Sequence, residues 1–176
     1  YTNIININAN QQLQQNVEDR LQDYIRLMDN ILTDEVLIEY LNYSYPTDFS
    51  DQLYLERVKT FNELYKFYTT RLIASFEGIN IKFISTNQSL VFDGKLFYQW
   101  DKELKARDPW MEKIMERKRE ITVLGPFLND KKVQTIYLGR VLDSGLYEQY
   151  SHVVLIEVPI SKIKKIIDTD NVNKFV

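Results

Sequence analysis

Cysteine is absent from the 176 residues and histidine occurs once, at His152. The first absence excludes disulfides, thiolate zinc sites, iron–sulfur ligation and cysteine nucleophiles. The second removes most histidine-based acid–base and metal chemistry. Only five glycines and four prolines are present, and neither a phosphate-cradling loop nor a low-complexity linker can be found. Charge of one sign is missing too: 22 basic residues against 25 acidic give a net charge of −3. Without a sustained basic stripe to neutralise phosphates, no nucleic-acid partner is expected. Apolar runs such as Val153-Val154-Leu155-Ile156 fall far short of the ~20 residues that cross a bilayer, and no basic-then-apolar leader opens the chain. Starting at Tyr1-Thr2-Asn3 without an initiator Met, it reads as a segment of something longer.

What is there suits a folded domain. Hydrophobic residues make up 44% and charged residues 27%, an ordinary globular balance, and the length allows about one compact unit. Aromatic residues are abundant, with 12 tyrosines. Over 10–30, Leu13, Val17, Leu21, Tyr24, Met28 and Ile31 recur at helical spacing and predict a long amphipathic helix. Its other face, with Gln11, Gln15, Glu18, Gln22 and Asp29, reads as solvated. Thr33-Asp34-Glu35 looks like an N-cap followed by first-turn acids, opening a short helix through Leu37 and Leu41. A second long helix spans 49–73, carrying Tyr54, Val58, Phe61, Tyr65, Tyr68 and Leu72, with Leu64 and Phe67 widening the buried face.

After Gly78 the period changes to two. Ile79, Ile81 and Phe83 predict a strand, and Leu90-Val91-Phe92 before Asp93-Gly94 reads as its hairpin return. A helix follows over 110–118, with Asp108 as cap, Pro109 at the first helical position, and Ile114 and Met115 inward. Three more strands are expected over 120–128, 132–142 and 152–158, and then a helix capped by Ser161. Short connections imply an antiparallel sheet with one face covered by the long helices, an α+β arrangement.

The element order, together with Ile81-Lys82-Phe83-Ile84-Ser85-Thr86-Asn87, Leu90-Val91-Phe92-Asp93-Gly94, Arg107-Asp108-Pro109-Trp110 and Val153-Val154-Leu155-Ile156-Glu157-Val158, resembles the extracytoplasmic Cache sensor domains of bacterial receptors. It is most like the double-Cache ectodomains of YesM-type sensor histidine kinases. This resemblance implies long helices packed on a PAS-like five-stranded antiparallel sheet. It divides the chain into a helical region (1–75), a membrane-distal Cache module (76–170) and the start of a membrane-proximal module (171–176). It also implies a non-catalytic, cofactor-free segment on the extracytoplasmic face of the bacterial cell membrane, tethered in the full-length kinase and binding a small extracellular molecule.

The candidate ligand cluster is Tyr98, Trp100, Arg107 and Trp110, because aromatic faces with a guanidinium suit a sugar, an amino acid or a carboxylate. The plainer alternative packs both tryptophans in the core and pairs Arg107 with a surface acid. The spacing Arg107-Asp108-Pro109-Trp110 departs from the tighter motif of amino-acid-binding relatives. Tyr137 and Arg140 are three apart in a strand and point to opposite faces, so at most one lines a given pocket. Tyr137 shares its face with Gly139 and Val141, whereas Arg140 is a candidate anion partner that Asp143 could pair with. His152 reads as structural or exposed. Glu35, Glu39, Glu56 and Glu63 occur at solvated helical spacings, and only Glu157, inside an apolar strand, hints at burial. Asn42-Tyr43-Ser44 and Asn87-Gln88-Ser89 match the glycosylation pattern but read as idle. The alternatives to a ligand sensor of a kinase are a protein-interaction or dimerisation ectodomain, which would contact a solute-binding lipoprotein or pair through its N-terminal helices, and the sensor domain of a chemoreceptor.

Overall fold

A computed structural model describes residues 11–48, 51–72, 76, 78–101, 110–142 and 149–162, with the side chains of 11–18 and 20 excepted. Helix α1 (Gln11–Leu32) buries Leu21, Tyr24, Leu27, Met28 and Ile31. From Leu21 onward this is the expected stripe with Leu27 added, since residues three and four apart share a helix face, while the side chains of Leu13 and Val17 lie outside the described ones. Helix α2 (Glu35–Asn42) is capped by Asp34 rather than Thr33. Asp34 Oδ1 accepts the Leu37 N–H at 3.2 Å, while the Thr33 hydroxyl donates back to the Asn30 carbonyl at 2.9 Å and closes the end of α1. Helix α3 (Gln52–Lys66) starts from Asp51, whose carboxylate accepts from Leu53 N at 2.9 Å.

Past Lys66 the coil widens into a π turn, Phe67–Arg71. The wider turn buries Tyr68, whose hydroxyl donates to Asp34 Oδ2 at 2.6 Å, and leaves Phe67 40% exposed. Phe67 therefore departs from the buried face its spacing suggested, because the inserted turn rotates it outward. Burial of the Tyr68 hydroxyl, with the Asp34 carboxylate beside it, pushes its pKa far up.

Five strands form one sheet: β1 (Asn80–Ser85), β2 (Phe97–Gln99), β3 (Thr122–Leu128), β4 (Gln134–Val141) and β5 (His152–Pro159), in the order β2-β1-β5-β4-β3. With helix α4 (Trp110–Arg117) added, the protein is α+β, with helices packed on a PAS-like five-stranded sheet. Ile81, Phe83, Ile136, Leu138, Val154, Ile156 and Val158 join the core shared with α1, α2 and α3. Ile84, Val153, Leu155 and Tyr137 point the other way and pack with Met111 and Ile114 of α4. Central β5 is buried on both faces from His152 to Val158, which explains its unbroken apolar run.

One edge differs from the expected hairpin. β2 runs parallel to β1, pairing Phe83 with Phe97 and Ser85 with Gln99, whereas the other pairings are antiparallel. The sheet is mixed, and Leu90-Val91-Phe92 is not a strand. Side chains dictate this path. The Asn87 amide, fully buried, donates to the carbonyls of Leu41 at 2.9 Å and Tyr43 at 2.8 Å, tying the loop to the end of α2. Arg57 Nη1 holds the Ser89 carbonyl at 2.7 Å. Asp93 Oδ1 then gathers the N–H groups of Lys95, Leu96 and Phe97 at 3.1, 3.0 and 2.9 Å, and Gly94 turns the chain at φ 67°. The chain re-enters beside β1 in the same direction.

His152 is structural and buried. Asn42 Nδ2 donates to the Ile38 carbonyl, so Oδ1 faces His152 Nε2 at 2.9 Å and accepts its proton. Ser85 Oγ accepts the Asn87 N–H and donates its own hydrogen to Nδ1 at 2.8 Å. The imidazole is held neutral, its pKa pushed down to about 4 by burial.

Candidate functional site

The sheet face turned away from the long helices carries the polar and aromatic groups. Alternation along β1 sends Lys82 to the side of Ile84, opposite Ile81 and Phe83. In β5 the same alternation puts Glu157 with Val153 and Leu155. In the register, Asn80 and Tyr137 are the partners of Glu157 on its two sides, and Ile84 is the partner of Tyr98. The result is a row across four adjacent strands, Tyr98, Lys82, Glu157 and Tyr137.

At its centre Lys82 Nζ is 2.8 Å from Glu157 Oε1, with the carboxylate side chain only 5% exposed. The ammonium also lies 5.0 Å from the Tyr98 ring centroid. Burial opposes the charge on Lys82, but the hydrogen bond and charge of Glu157, with Tyr98 and Asp130, outweigh it and raise the pKa. Lys82 is held as the ammonium at neutral pH. Burial likewise raises the Tyr98 hydroxyl, with Lys82 pulling against it.

The other end of the row is aromatic. Trp110, at the start of α4, meets the Tyr137 ring edge-on at 5.5 Å, and Phe127 lies 5.3 Å from it. Phe127 reaches this face because the β3–β4 register shifts between Leu124 and Phe127, where Gly125 takes φ 119°. The extra residue makes Thr135 the partner of Phe127, and Thr135 shares its face with Tyr137. α4 sits close because Gly139 has no side chain: a Cβ there would lie 2.2 Å from Ile114 Cδ1.

The structure thus brings Tyr98, Trp100, Trp110 and Tyr137 to one face, in or against the apolar cluster that includes Met111 and Ile114 of α4. Arg140 is not among them. It lies on the helix-facing side, where Nη1 pairs with Asp29 Oδ1 of α1 at 2.6 Å, so the anion it meets belongs to the protein itself. Arg107 and Asp143 lie outside the described residues. Lys82 escaped the sequence reading because a polar residue alternating with apolar ones reads as solvated; the buried Glu157 was the signal, since a buried carboxylate needs a cation. Among the described residues no group of three or more histidine, aspartate or glutamate side chains is placed to hold a metal ion, and no helix is long and apolar enough to cross a membrane.

Comparison with protein-family models finds no match, and comparison with curated proteins finds none either.

Proposed function

We propose that this chain is the extracytoplasmic ligand-sensing module of a membrane-bound sensor histidine kinase, binding a small molecule on the sheet face centred on Lys82 and Glu157. The observation that carries this reading is the Tyr98–Lys82–Glu157–Tyr137 row with Trp110 at its margin. A charged donor, a charged acceptor and several aromatic faces converge there, the combination that fixes a small polar ligand and covers its apolar parts. Because Lys82 and Glu157 cancel each other's charge, the face suits a ligand with both donors and acceptors, such as a sugar or an amino acid, better than a simple anion. The opposite face supplies the output. Arg140 of β4 grips Asp29 of α1, so a displacement of the sheet on binding is passed to the long helix, the differential contact that a two-state signal requires.

The test is calorimetry and thermal shift against sugars, amino acids and carboxylates. Trp110→Ala and Tyr98→Ala are expected to weaken the ligand found by roughly tenfold or more, the loss of a well-packed aromatic contact, while unfolding stays cooperative. A well-folded protein that binds none of these classes would sink the reading. A protein-interaction role is favoured by Val36, Leu53 and Leu55, which stand 51%, 37% and 60% exposed on α2 and α3. Sedimentation of Leu55→Glu against the parent decides it: unchanged mass for both removes dimerisation through these helices.

A further inference from the structure

Away from the sheet face, α2, the segment after it and α3 line a half-open pocket of about 170 Å³. Its walls include Tyr40, Tyr43, Tyr45, Glu39 and Glu56. The three rings are inclined to one another: Tyr43 and Tyr45 stand 4.7 Å apart at 51°, and Tyr40 and Tyr45 5.7 Å apart at 44°. All three tyrosines line this half-open pocket, and the π face of an aromatic ring carries partial negative charge. The wall also has two carboxylates and no basic residue. Neither Glu39 nor Glu56 has a salt-bridge partner among the described residues.

Arg57 is the cation nearest in influence, and it is engaged elsewhere, with Nη1 on the Ser89 carbonyl at 2.7 Å and the guanidinium 4.3 Å from the Tyr54 ring. The Tyr45 hydroxyl stays protonated, pushed up to about 12 by burial and then by Glu39, Tyr43 and Glu56. The pocket therefore offers neutral aromatic residues beside two carboxylates, whose charge the nearby Arg57 offsets only in part. Its volume is below the ~300 Å³ at which drug-sized ligands begin to fit, which suits a head group of a few heavy atoms.

We propose that this pocket binds the ammonium group of a small organic cation, the tyrosine rings covering its methyl or methylene groups and Glu39 and Glu56 supplying the countercharge. An anion is repelled by the two carboxylates. A neutral apolar group of the same shape fills the space but gains neither the countercharge nor the ring electrostatics.

Choline and its uncharged carbon isostere 3,3-dimethyl-1-butanol separate these cases. Titrated by amide NMR, choline is expected to move the signals of Tyr43, Tyr45 and the start of α3 saturably, and the isostere to bind about fivefold or more weakly. Glu39→Gln with Glu56→Gln, both at exposed positions, is expected to cost roughly three- to tenfold in choline affinity with the unfolding curve unchanged. Tyr45→Leu removes one ring and is expected to cost about three- to fivefold. The proposal falls if the isostere binds as tightly as choline, if the double glutamine variant binds choline unchanged, or if choline shifts map elsewhere or do not saturate.

Discussion

Lys82 and Glu157 meet diagonally across two adjacent strands: Lys82 is the register partner of Leu155, Glu157 that of Asn80, yet Nζ and Oε1 are 2.8 Å apart. Removing the ammonium leaves a buried carboxylate without its partner. Lys82→Met is expected to cost about 2–4 kcal/mol, the lower side of the range for breaking a buried pair because Lys82 keeps some contact with water. Lys82→Met with Glu157→Leu is expected to recover part of that loss. Urea unfolding of the single and double variants checks both; equal loss in the two would show that the pair's charge is not what matters.

Gly139 and Ile114 set how closely α4 approaches the sheet. Gly139→Ala places a methyl 2.2 Å from Ile114 Cδ1 and 2.8 Å from Cγ1, so the helix must lift or the side chain must leave its rotamer. Overpacking of this kind costs about 1–3 kcal/mol. Ile114→Ala in the same chain vacates the volume, and the double variant is expected to be less destabilised than the sum of the two single changes. Additive losses in chemical denaturation would overturn the steric account.

These two contacts also mark how far the sequence can be read. The α1 stripe, the α3 stripe and the central strands are legible because a solvent-divided helix or sheet imposes a period on its apolar residues. The shared face of Tyr137, Gly139 and Val141 follows from strand alternation alone. The path of β2 does not, because it is decided by the side-chain amide of Asn87 and the carboxylate of Asp93, whose partners are backbone groups and leave no pattern. Arg140 is similar. Alternation puts it on a strand face with Ile136, Leu138 and Leu142, where a cation is unusual, but Asp29 sits on a helix face that reads as solvated, and nothing local links the two. For the candidate site, the aromatic members were visible as residue types, while the Lys82–Glu157 centre depends on the β1–β5 register.

Protonation of His152 is expected to weaken the fold in mild acid. The unfolded imidazole takes up its proton near 6.5 and the folded one only near about 4. Between those values the unfolded state binds more protons, so stability is full above pH 6.5 and falls as pH drops towards 4, by about 3 kcal/mol at the bottom of the window. Unfolding free energies of the parent and of His152→Gln, measured across this range, should differ in slope and converge in slope above it. Parallel curves would show that the imidazole is not held neutral.

Arg140→Ala is expected to change little. Asp29 is more than half exposed, and ion pairs with a solvated member contribute about 0–1 kcal/mol. A double-mutant cycle with Asp29→Ala should give a coupling in that range. Ligand affinity at the Lys82–Glu157 face should shift by no more than that coupling, about fivefold at most, since Arg140 projects from the other side of the sheet; a larger loss would mean that Arg140 acts on the ligand itself.

Asp93 has a role that its place in a loop conceals. β2 has only three residues, with Phe97 buried beside Phe83 and Tyr98 turned to the opposite face. A slip of one position would exchange them, sending a phenyl ring to water and a phenol into the core. Three residues of ladder are a weak guard against such a slip, but a carboxylate clasping three successive amides fixes where the strand begins. The sheet edge is thus indexed from its entrance rather than along its length, and Tyr98 owes its position over Lys82 to a carboxylate whose hydrogen bonds go to the three residues before it.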